Sequence, residues 1–209
     1  MENSIRILIY MHAFFGGVGL LTGFGSVIVK KGSVLHKKMG KLFSISMVIS
    51  SLNSLPIAWM SNHKNIFLFL IGIFTIYLVL TGNRALKLKK EKYAGKIDLV
   101  ISGSMIIFSC IMILIGTYRL LNSQSNSILF LFFGGTALFL SSKDFRFYKK
   151  LDKVKNVWLI AHTGKMIGAL IASVTAFIVA GLQLDNLISW ILPTLLGTIY
   201  IIYWNRKIA

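Results

Sequence analysis

Residues 157–183 read VWLIAHTGKMIGALIASVTAFIVAGLQ. At a rise of about 1.5 Å per residue, a helix of this length exceeds a hydrocarbon core about 30 Å thick. Every fourth position is small: Gly164, Gly168, Ala172, Ala176 and Ala180. Such a row lets a neighbouring backbone approach closely. His162, Met166, Ala169 and Ser173 follow one another along the adjoining face. A histidine and a lysine, Lys165, inside an apolar span are costly against lipid, so this helix belongs inside a bundle.

The rest of the chain agrees with a membrane setting. Of its 209 residues 56% are hydrophobic and only 14% are charged, whereas a soluble domain is nearer one-quarter charged. Six further apolar stretches cover about residues 5–29, 39–60, 66–86, 97–121, 127–142 and 187–204. The expectation is an all-α integral membrane protein, a single domain of seven transmembrane helices. The first span has no small-residue cleavage pattern behind it and reads as an uncleaved anchor. The stretch SKDFRFYKKLDKVKN after the fifth span is the longest hydrophilic segment.

Charge orients the bundle. Nineteen of the 23 Lys and Arg residues fall in alternate connections, around Lys30 to Lys41, Arg84 to Lys96, Lys143 to Lys155, and Arg206 with Lys207. Basic loops stay cytoplasmic, which predicts the N-terminus outside and the C-terminus inside. Trp59, Trp158, Trp190 and Trp204 fall at predicted span ends, where such rings prefer to sit. The net charge of +17 therefore points to anionic lipid rather than nucleic acid. Cys110, the one cysteine, reads as a small core residue without a disulfide.

Several residues suggest chemistry. His12 shares a face of the first span with Gly16, Gly19, Gly23 and Ser26, a face that must meet protein. In the second span, Ser46, Ser50 and Ser54 form a row, and Pro56 should kink the helix. His36, Asp98, Asp144, His162 and Lys165 all fall at or just below the inner interface, in or beside the second, fourth, fifth and sixth spans. His63, in the outer connection, carries little signal.

Three chemistries suit this set. Haem b held by two histidines needs imidazoles at matching depth beside a slot of small residues, which His36 and His162 meet, with His12 as a further candidate. A divalent metal with a bound water, as in a membrane hydrolase, needs three ligands from His36, His162, Asp98 and Asp144. A carrier or channel for a small solute or ion needs titratable groups and helix breaks along a path, with His162 and Lys165 lining it. The small-residue faces could also join two copies of the chain. Phosphate-binding loops, CxxC pairs, nucleophile elbows and HExxH are absent.

MHAFFGGVGLLTGFGSVIVKKGSVLHKKMGKLF and WLIAHTGKMIGALIASVTAF resemble a bacterial family of predicted membrane proteins catalogued as domain of unknown function 2306. The likeness rests on His12 and its glycines, the segment from His36 to Gly40, Asp144, and His162 with Met166. Lys165 stands where the family's pattern leads one to expect arginine. The resemblance implies a multi-pass protein of the bacterial cytoplasmic membrane and draws attention to the three histidines. It implies no particular reaction.

Overall fold

Polar backbone groups cannot be left open in hydrocarbon, so apolar segments of this length close their hydrogen bonds internally as helices. The computed structural model describes residues 2–60, 64–184 and 186–208, with side chains from residue 5 onward, and these residues contain no strand. His63 lies outside the described residues. Seven long helices follow one another: α1 (Glu2–Ile28), α2 (Val34–Ile57), α3 (Ile66–Glu91), α4 (Lys96–Leu121), α5 (Ser127–Tyr148), α6 (Val157–Ala176) and α7 (Leu187–Ile208). A wider π turn, Phe177–Gly181, extends α6.

Six of the seven, all but α2, are long and apolar enough to cross a membrane. Helix α2 differs because its inner face is built of hydroxyls: Ser44, Ser46, Ser50 and Ser51 are all buried. Pro56 does not kink a continuing helix. It lies in the last turn of α2, which ends one residue later, and the Ala58 N–H caps it on the Ser54 carbonyl at 2.9 Å. Helix α5 runs six residues past its expected end, so Asp144 belongs to the helix and not to a loop.

The chain divides into two compact units. The first comprises Met1–Val79 and Met166–Tyr200. Its glycine face on α1 packs antiparallel on α2. Added Cβ atoms would meet Ser50 Oγ at Gly16, Met47 Sδ at Gly19, Phe43 at Gly23 and Met39 Sδ at Gly25. One partner per turn, in descending order along α2, fixes the register. A Cβ at Gly23 would also lie 2.7 Å from Leu170 of α6, and one at Gly168 would lie 3.5 Å from Leu78 of α3. Phe43, Phe74, Tyr77, Leu78 and Ala169 form the core. Phe67 and Trp190 meet edge-on with ring centres 5.1 Å apart.

The second unit comprises Leu80–Lys165 and Ile201–Ala209. Here α4 and α5 pack antiparallel through their own glycines. A Cβ at Gly116 would lie 2.9 Å from Leu131, and one at Gly134 would lie 3.0 Å from Ile113 and Met112. Met105, Met112, Phe130, Phe133 and Ala137 fill the core between them. Cys110 is not a core residue. It is exposed on the outward face of α4, alongside Ile107, Ile111 and Leu114.

Candidate functional site

The α4–α5 register that seats these glycines also carries a polar ladder toward the N-terminal end of α4. Asp98 and Ser102 are one turn apart on α4, as are Asp144 and Tyr148 on α5, so each pair shares a face. Ser102 Oγ donates to Asp144 Oδ2 at 2.9 Å and lies 2.8 Å from Tyr148 Oη. The Tyr148 hydroxyl donates to the Asp98 backbone carbonyl at 3.3 Å.

Two cations close the ladder, one from each flanking helix. Lys165 of α6 reaches both oxygens of Asp144, at 2.8 and 3.0 Å. Arg84 of α3 grips Asp98 with two donors, Nε to Oδ1 and Nη2 to Oδ2, the latter at 2.7 Å. Asp98 Oδ2 also accepts the Gly95 N–H at 2.9 Å, satisfying a donor at the start of α4. Asp98 is 2%, Asp144 4% and Lys165 6% exposed, and Ser102 is fully buried. Two positive and two negative charges thus neutralise one another inside the unit. Isolated, any one of them would carry a desolvation penalty of several kcal/mol.

His162 enters the same unit from α6. Its Nδ1 lies 2.8 Å from the Gly82 carbonyl of α3. A carbonyl can only accept, so Nδ1 carries the proton and Nε2 holds the ring's lone pair in the neutral form. His12 and His36 follow the same rule. His12 Nδ1 donates to the Ser50 carbonyl at 2.9 Å, while Ser50 Oγ–H donates back to the His12 carbonyl at 2.9 Å. His36 Nδ1 donates to the Ser26 carbonyl at 3.0 Å.

The position of His36 has a local cause. Helix α1 ends at Ile28 with carbonyls that lack intrahelical partners. His36 and Lys31 fold back over that end, with Lys31 Nζ 3.1 Å from the Ser26 carbonyl and also bonded to that of Val27. Gly32, at φ +78°, makes the turn that allows this, and Ser33 caps α2 by accepting the His36 N–H at 3.2 Å. Partial burial lowers the Lys31 pKa from its ordinary value.

The structure thus joins Asp98, Asp144 and Lys165 in one ladder and adds His162 to the same unit, while His36 closes the α1–α2 turn and His12 clasps α1 to α2. The third span supplies Arg84 to this ladder. Sequence reasoning had counted Arg84 as a loop cation and passed over Ser102 and Tyr148. The four-residue spacings Asp98–Ser102 and Asp144–Tyr148 were the available signal. Among the described residues no three histidine, cysteine, aspartate or glutamate side chains stand close enough to hold a metal ion. The glycine face of α1, one candidate slot for a flat cofactor, is filled by Met39, Phe43, Met47 and Leu170. No family model, curated protein or solved structure matches this chain.

Proposed function

We propose that this protein is a carrier or channel for a small solute or ion, with the Asp144–Lys165 pair as its proton-accepting element. The reading rests on one observation: a carboxylate and an ammonium, both buried, are paired on two helices apolar enough to span a bilayer. Ionisable groups at such depth are kept where they serve a path or a relay. Protonation of Asp144 removes the negative charge facing Lys165, which favours a second arrangement of α5 and α6. Loss of that proton restores the pair. Ser102 and Tyr148 supply hydroxyls through which a proton can pass along the ladder. In this proposal all seven helices cross a bacterial cytoplasmic membrane with the N-terminus outside, as the basic connections suggest, and the chain is kin to the family catalogued as domain of unknown function 2306.

The test uses protein reconstituted in liposomes loaded with pyranine, a pH-sensitive dye. The liposomes are challenged in turn with sodium, potassium, chloride, small carboxylates and amino acids. The expected result is a change in lumenal pH faster than in protein-free liposomes for at least one solute, lost in Asp144→Asn. A panel that never exceeds the protein-free rate sinks the proposal.

A second reading, haem ligation, draws on a different observation. In His12, His36 and His162 the Nδ1 proton is committed to a backbone carbonyl. This arrangement orients ligating histidines and raises their basicity. Bound haem would supply one-electron chemistry. Protein purified from haem-supplied cells would then show a Soret band that His162→Ala removes. A colourless preparation dismisses this reading.

A further inference from the structure

Within the second unit, hydrogen bonds and ring contacts gather the ends of five helices at one pole. Arg84 ties the end of α3 to the start of α4, and Tyr148 ties the end of α5 to the same start. Lys89 Nζ stands 4.4 Å from the centre of the Trp158 ring, joining the end of α3 to the start of α6. Asn156 Nδ2 donates to the Ile208 carbonyl at 3.2 Å, joining the start of α6 to the end of α7.

This pole carries thirteen exposed lysines and arginines, on the ends of α3, α4, α5 and α7 and on the α5–α6 connection. Among the described residues only two exposed side-chain carboxylates, Glu91 and Asp152, accompany them. The other two carboxylates of the unit, Asp98 and Asp144, are buried and committed to Arg84 and Lys165. Each of these pairs is neutral in itself, so neither offsets the exposed positive charge. At the opposite end of the unit the basic residue is Arg119, stacked over Phe130 with its guanidinium carbon 5.4 Å from the ring centre.

We infer that anionic phospholipid headgroups are structural ligands of this pole. They supply the negative charge that the exposed surface of this pole lacks. The chemistry favours lipid over other polyanions, because the cations sit at the ends of helices long and apolar enough to span a bilayer. Trp158 and Trp204, each under a lysine ammonium, lie at the same ends, where aromatic rings settle among headgroups. Like charges crowded on one pole repel, and a headgroup phosphate between them lowers that repulsion in the folded state alone. Bound lipid therefore raises stability by mass action.

The experiment measures thermal unfolding in a non-ionic detergent supplemented with palmitoyl-oleoyl phosphatidylglycerol or with the phosphatidylcholine of the same chains. The expected result is a midpoint at least about 5 °C higher with phosphatidylglycerol, shrinking by half or more in about 0.5 M NaCl. Lys149, Lys150, Lys153 and Lys155 together changed to Gln should reduce this increment and leave the phosphatidylcholine midpoint in place. Equal midpoints in the two lipids overturn the inference, and the wild-type salt series decides it even if the fourfold variant fails to fold. A larger increment from a single-stranded oligonucleotide than from phosphatidylglycerol also overturns it, in favour of nucleic acid.

Discussion

Arg84–Asp98 and Lys165–Asp144 are both buried ion pairs of one unit, yet they are built differently. Arg84 holds Asp98 with a planar two-donor fork, and Asp98 is held again by the Gly95 N–H at the start of α4. The site is also near water, since the Arg84 side chain is 20% exposed and lies 4.0 Å from Glu91. This pair is over-determined and fixes α3 to the start of α4. Lys165 holds Asp144 with a point charge on a flexible stem, and the Ser102 hydroxyl donates to the same carboxylate. A fork resists rearrangement and an ammonium tolerates it. The same inventory of charges therefore yields one joint held by a planar fork and one held by a flexible ammonium.

Removing one member of the looser pair is the sharpest way to break this contrast. Lys165→Met should destabilise the protein by about 3–5 kcal/mol, because the buried Asp144 carboxylate loses its ammonium partner. Lys165→Met combined with Asp144→Asn should regain most of that loss, as read by thermal unfolding in detergent. If the double variant is no more stable than the single one, the pair is not the source of the effect.

Changing Arg84 to Lys keeps the charge and removes the fork. The expected loss is about 1–2 kcal/mol, with solute-driven pH change in liposomes within about twofold of wild type. A collapse of that signal would place Arg84 on the path and erase the distinction between the two pairs.

In the other unit, Gly23→Leu tests packing without touching a charge. The added side chain must displace Phe43 and Leu170, at a cost of about 1–3 kcal/mol. Gly17→Leu, where a Cβ meets nothing within 4 Å, is the matched control and should be near neutral in the same unfolding assay.

The smallest effect should come from Tyr148→Phe, which removes one hydroxyl from the ladder and leaves its charges intact. A loss of about 0.5–1.5 kcal/mol is expected, together with slower pH change if the hydroxyl relays protons. Unchanged kinetics would confine Tyr148 to a structural role and leave Ser102 as the relay.

The sequence by itself determined the helices, because the apolar runs are long and hydrocarbon permits little else. It also marked the glycine face of α1 as a contact face and singled out His162 and Lys165, since small or ionisable residues inside a span need protein around them, while Asp98 and Asp144 stood out by falling at the same interface. Which residues meet was decided only by tertiary structure. Asp98 and Asp144 stand near lysines in sequence, yet their partners are Arg84, 14 positions away, and Lys165, 21 positions away. His36 stands beside Lys37 and Lys38 in sequence, yet its Nδ1 meets the Ser26 carbonyl at the end of α1, 10 positions away. The physical reason is that period and composition give each helix its face, whereas the partner of a face depends on the register in which helices pack. That register is set by steric fits, such as Gly134 against Met112, that no single segment contains.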